Sequence, residues 1–92
     1  MATEVFYFSS PTCPPCQTIK PTIQELHEDY GHVPWTLVNT SVSKDVADRM
    51  NVSSIPTMLI VKNGTEVARH SGSTMMGYYS LLRRHCADTL AV

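Results

Sequence analysis

Apolar positions change their spacing several times along this 92-residue chain, and each change marks an element. Val5-Phe6-Tyr7-Phe8 is a short apolar and aromatic run, which predicts a strand buried on both faces. Ser9 to Thr12 read as a loop. Beyond it Ile19, Ile23, Leu26 and Tyr30 recur at intervals of 4, 3 and 4, with Lys20, Gln24, Glu25 and Glu28 between them. That pattern predicts an amphipathic helix of about four turns. Pro14 and Pro15 suit its first turn, where a missing N–H costs little. Pro21, inside the pattern, predicts a kink, and Gly31 an end.

Trp35 to Asn39 form a second predicted strand, and Ser43 is placed to cap a short helix whose Val46, Ala47 and Met50 face inward. Asn51 terminates it. Ser54-Ile55-Pro56-Thr57 leads into a third strand, Met58-Leu59-Ile60-Val61. Lys62-Asn63-Gly64-Thr65 is a strong hairpin turn, so Glu66 to His70 should pair back antiparallel. After Gly72, Ser73 or Thr74 caps a last helix with the stripe Met75, Tyr79, Leu82, Cys86. Met75 and Met76 are read as core and cap contacts, and Tyr78 and Tyr79 as one buried ring and one exposed. The order β-α-β-α-β-β-α implies a first parallel pair, a final hairpin, and a small α/β sandwich with helices on both faces.

Composition narrows the class. The length fits one domain over residues 1–92. With 42% hydrophobic and 16% charged residues the chain is not disordered. No apolar run approaches the roughly 18 residues of a membrane span. A formal net charge of −1 argues against nucleic-acid or anionic-membrane partners, and a monomer is expected. Glu4 stands where an export signal would begin its apolar core, so a cytoplasmic protein is expected.

The chemistry lies in Cys13-Pro14-Pro15-Cys16, two of three cysteines, at a strand-to-helix junction. Unpaired N–H groups and the positive dipole end at a helix N-terminus stabilise a thiolate, lowering a thiol pKa from about 8.5 to roughly 3.5–7.5. Two intervening residues let the cysteines approach disulfide distance. Cys13, nearer solvent, is the expected nucleophile and Cys16 the resolving thiol. Because Pro14 and Pro15 have no N–H, Cys16 and Gln17 supply the first amides available to the Cys13 sulfur. A zinc finger is the rival reading, through Cys13, Cys16, His27 and His32. A helix between Cys16 and His27 would separate them by roughly 16 Å, so no metal is expected. Cys86 is read as a buried structural thiol, and His27 and His32 as surface residues.

Together, Cys13-Pro-Pro-Cys16, Pro21, Ile55-Pro56-Thr57, Asn63-Gly64 and Gly72 make the chain resemble a small thioredoxin over nearly its whole length. The resemblance implies a three-layer sandwich with a mixed four-stranded sheet, without the family's usual N-terminal strand and helix. It implies a cis peptide bond before Pro56, packed beside the disulfide, and substrate pairing along the Ile55 backbone. The implied groove gathers Thr12, Pro14, Ile55, Pro56 and Gly72 around exposed Cys13. Three departures stand out. The dipeptide between the cysteines is Pro-Pro in place of Gly-Pro, and Thr12 replaces a tryptophan. The family's buried acid becomes Tyr7, while its lysine neighbour becomes Leu37 by register. Losing both members of a buried charged pair can be neutral, whereas losing one strands a charge. Water, or the Tyr7 hydroxyl as a relay, is then the expected proton acceptor for Cys16.

The resemblance implies thiol–disulfide exchange with protein disulfides, ribonucleotide reductase being one family-level target. It implies re-reduction by a thioredoxin reductase and no bound cofactor. A glutathione-linked, glutaredoxin-like enzyme and a non-catalytic binding subunit are the alternatives.

Overall fold

The computed structural model describes residues 2–86, so Met1 and residues 87–92 of the expected 1–92 domain lie outside it. Its elements are β1 (Thr3–Ser9), α1 (Pro14–Asp29), β2 (Trp35–Asn39), α2 (Lys44–Arg49), β3 (Thr57–Lys62), β4 (Thr65–Ser71) and α3 (Met75–Cys86). The sheet runs β2-β1-β3-β4. β1 and β2, joined through α1, are parallel; β1 pairs antiparallel with β3, and β3 with β4.

Three layers follow from strand alternation. Val5 and Tyr7 of β1 and Met58 and Ile60 of β3 face α1 and α3, where they pack with Ile19, Ile23, Leu26, Tyr78, Leu82 and Cys86. Phe8 and Leu59 point the other way, onto Ala47 of α2 with Val38 and Val52. The two central strands are therefore buried on both sides, which is why they read as continuous apolar runs. Among the described residues no helix is long and apolar enough to cross a membrane.

Local chemistry sets the boundaries. Pro14 and Pro15 occupy the first two positions of α1, with Cys13 as its N-cap, and the element continues through Pro21 to Asp29. Asn51 leaves α2 at φ 57°. Asn63 and Gly64 take φ 53° and 82°, the paired positive angles of a tight hairpin turn.

The structure departs from the sequence reading at both smaller helices. Ser43 occupies the N-cap of α2, but its side chain makes no capping hydrogen bond there. Of the three residues expected inward on α2, Ala47 is buried and Val46 and Met50 are half-buried. In α3 the buried line is Tyr78, Leu82 and Cys86. Tyr79 is half-buried, and Met75 and Met76 are exposed, the latter 67% accessible, so neither methionine is a core residue. Gly77 explains part of this phase: a Cβ there would collide with the His70 imidazole, which occupies that notch on α3.

Candidate active site

The turn between β1 and α1 is organised by Ser10. Its buried hydroxyl bonds the side chains of Thr12, at 3.1 Å, and Ser41, at 2.8 Å, and accepts the Thr12 N–H at 3.3 Å. The Ser10 carbonyl accepts the Cys13 N–H at 3.3 Å. Sequence reading passed over Ser10, although a serine closing a turn just before a helix cap is a recurrent device.

Cys13 is thereby held in extended backbone at the tip of α1, with φ −101° and ψ 109°. It forms a disulfide with Cys16, the Cα atoms 5.2 Å apart. The Cys16 N–H donates to the Cys13 sulfur at 3.2 Å. The second amide expected there, that of Gln17, instead donates to the Cys13 carbonyl at 3.1 Å. Cys13 is 9% exposed against 4% for Cys16, so it is the more accessible residue of the pair but is not the openly exposed one the sequence suggested.

What covers Cys13 is the loop before β3. The Ile55 carbonyl oxygen lies 3.8 Å from the Cys13 sulfur, and the Ile55–Pro56 peptide bond is cis. Gly72, at φ 100°, donates its N–H to the Pro56 carbonyl at 2.9 Å. Thr57 is buried below, its hydroxyl donating to the Ser54 carbonyl and meeting the Ser71 hydroxyl, both at 2.7 Å. Thr12 and Pro14 are exposed beside Cys13, and Ile55 and Gly72 are half-buried. The fold thus gathers the residues singled out for a groove. It adds Tyr78, whose hydroxyl bonds the Gly72 carbonyl and lies 3.3 Å from that of Pro56.

On the opposite side of the disulfide a cleft of about 340 Å³ is lined by Tyr7, Cys16, Lys20, Ile23 and Leu37, among others. Tyr7 and Leu37 are register partners, as the sequence implied. Leu37, on edge strand β2, is 60% exposed. Among the described residues the Tyr7 hydroxyl has no hydrogen-bond partner, and no fully buried side-chain oxygen or nitrogen is left unpaired, so this hydroxyl reaches solvent in the cleft. Burial pushes its pKa up to about 12. Tyr78, packed edge-on to it at 6.3 Å, is raised further by burial and by Tyr7.

Helix α1 runs unbroken between Cys16 and His27, and among the described residues no three His, Cys, Asp or Glu side chains gather as a metal site. Fold and site together define a three-layer α/β protein with a dithiol pair closing at a helix tip. A thioredoxin family model matches residues 2–79, and the chain belongs to that family. It is 36% identical over 69 residues to the H-type thioredoxin of Fagopyrum esculentum, covering 75% of this chain and 60% of that one. It is 30% identical over 79 residues to a Caenorhabditis elegans peptide-N(4)-(N-acetyl-beta-glucosaminyl)asparagine amidase, covering 86% of this chain but 13% of that protein. Among solved structures, Fasciola hepatica thioredoxin superposes with a TM-score of 0.84 at 27% identity, covering 91% of this chain and 81% of that one.

Proposed function

We propose that this chain is a protein-disulfide reductase working by thiol–disulfide exchange. The reading rests above all on one juxtaposition: a Cys13–Cys16 pair at the N-terminus of α1, against the Ile55 carbonyl beside Pro56. In the reduced protein, the Cys16 N–H and the helix end favour the Cys13 thiolate. That thiolate attacks one sulfur of a target disulfide, forming a mixed disulfide and releasing the other target sulfur as a thiolate. Cys16 then loses its proton and attacks the Cys13 sulfur. The second target thiol leaves, and the two electrons have passed from the pair to the target.

Thr12, Pro14, Ile55, Pro56 and Gly72 form the target groove, with extended substrate pairing along Ile55. The proton of Cys16 leaves through the cleft it shares with Tyr7. With its pKa near 12, Tyr7 stays protonated at neutral pH, so it relays a proton through its hydroxyl and does not act as a standing base. Electrons are restored by a thioredoxin reductase, a flavoprotein fed by NADPH. The setting is the cytoplasm, and ribonucleotide reductase is one target of the appropriate chemistry.

Reduction of insulin disulfides with dithiothreitol as electron source tests the proposal. Wild type should turn over, Cys13→Ser should fall to the uncatalysed rate, and Cys16→Ser should accumulate a covalent adduct with the target. Turnover that survives Cys13→Ser would overturn it. A glutathione-linked enzyme would prefer glutathione to the flavoprotein as reductant, and a binding subunit would keep partner affinity in both variants.

A further inference from the structure

One wall of the proposed groove is formed by two backbone segments distant in sequence: the Ile55-Pro56 loop before β3 and the Ser71-Gly72 exit from β4. Gly72 donates its N–H to the Pro56 carbonyl at 2.9 Å, which is one tie between them. A second comes from α3. Tyr78 is fully buried, yet its hydroxyl sits between two backbone acceptors, donating to the Gly72 carbonyl with the Pro56 carbonyl at 3.3 Å. A phenol has one proton and a rigid ring, so it fixes where those carbonyls stand relative to α3 at little entropic cost.

The ring is itself located from two directions. Tyr7 packs on it edge-to-face at 6.3 Å, and His70 does so at 4.5 Å. His70 is wedged into the notch left by Gly77, and its Nε2 bonds the Thr74 carbonyl at 3.1 Å. The chain of contact runs from Gly77 through His70 to the Tyr78 ring, and from the Tyr78 hydroxyl to the groove.

We propose that Tyr78 is a positioning residue for protein substrates: it holds Gly72 and Pro56 in the geometry in which the neighbouring Ile55 backbone pairs with an extended target beside Cys13. This rests on the oxidoreductase reading above. Tyr78 touches neither sulfur, so its removal should weaken substrate docking and leave the exchange chemistry alone.

Tyr78→Phe keeps the ring and deletes the hydroxyl. The loss of one hydrogen bond corresponds to roughly a three- to tenfold effect. On insulin, KM should rise by about that factor with kcat held within about twofold. Reduction of a small aromatic disulfide, too small to lie along Ile55, should stay at the wild-type rate, as should the equilibrium with glutathione. Unchanged insulin kinetics would overturn the assignment, and so would equal slowing of both substrates, because that marks a general defect of fold or potential. Amide exchange at Gly72 gives a readout independent of catalysis: it should quicken several-fold in Tyr78→Phe, and an unchanged rate overturns the assignment even if wild type proves inactive on insulin. Inactivity of wild type with quickened Gly72 exchange would instead remove the reductase reading and leave the tie itself standing.

Discussion

On the β3–β4 side of the disulfide, backbone groups are tied from several directions. Gly72 bonds Pro56, Thr57 bonds Ser54 and Ser71, and Tyr78 reaches down to Gly72. On the β2 side the same disulfide borders a cleft of about 340 Å³, where Tyr7 offers a hydroxyl with no partner among the described residues and Leu37 lies open to solvent. The first side is polar and specified atom by atom. The second is mixed and loosely specified. Recognition of an extended chain needs fixed donors and acceptors, since each misplaced one forfeits a hydrogen bond. Moving a proton off Cys16 needs only access to water. On the proposed mechanism, the two sides divide these tasks between them.

The sharpest way to break this contrast is Thr57→Val, a near-isosteric change on the tied side. Thr57 is 1% exposed, and its hydroxyl serves both the Ser54 carbonyl and the Ser71 hydroxyl. The valine variant removes both hydrogen bonds, and because Ser54 and Ser71 are exposed and can turn to water, the cost is that of the lost bonds, about 0.5–1.5 kcal/mol. A urea titration should show a lower midpoint with an unchanged slope. A midpoint equal to wild type would mean that the Thr57 hydroxyl does not tie this side together.

Much of this contrast was open to a reader of the sequence, and the parts that were not share a cause. The two central strands, α1 and the Asn63-Gly64 hairpin were legible because runs, spacing and positive-φ residues are local properties. Gathering Cys13, Ile55, Pro56 and Gly72 was legible only through the family resemblance, since nothing local links Cys13 to Ile55 across 42 positions. The phase of α3 was misread because Met75-Tyr79-Leu82-Cys86 and Tyr78-Leu82-Cys86 both fit a helical repeat. What decides between them is tertiary: the carbonyls of Gly72 and Pro56 waiting for a hydroxyl, and the His70 ring lodged at Gly77. The register of Leu37 with Tyr7 was legible in the same way, while its 60% exposure is a tertiary property of edge strand β2.

On the open side, Tyr7→Phe should do far less at neutral pH, where it deletes a hydroxyl that no described residue engages. Stability at pH 7 should change by less than about 1 kcal/mol. The difference emerges in alkali. A tyrosine whose folded pKa stands near 12, against 10.0 for the ordinary side chain, adds stability that is fully present below pH 10 and lost as pH rises from 10 toward 12. Wild-type Tm should therefore drop across that window, and Tyr7→Phe should drop less, with the remaining slope including Tyr78, which is shifted in the same direction. Parallel Tm profiles for the two proteins would mean that burial does not raise the Tyr7 pKa in the folded state. Resolution of the mixed disulfide at the wild-type rate in the same variant would remove Tyr7 from the proton path and leave water alone in that role.

The smallest effect is expected from Leu37→Lys, and its smallness is what makes it informative. In a tightly packed site, a lysine set beside a neutral tyrosine with no carboxylate to meet it would lose its hydration and cost several kcal/mol. Here the position is 60% exposed on edge strand β2, so the new side chain can lay its methylenes along the cleft wall and keep its ammonium in water. A like charge, Lys20, lines the same cleft but is exposed, and repulsion between hydrated ammoniums is screened at ordinary ionic strength. A positive charge on an edge strand also discourages strand-to-strand association. Stability should change by no more than about 0.5 kcal/mol, with any residual loss vanishing as salt is raised. A cost above about 2 kcal/mol that salt does not relieve would show that the cleft excludes water, and the proton of Cys16 would then have to leave by way of the Tyr7 hydroxyl.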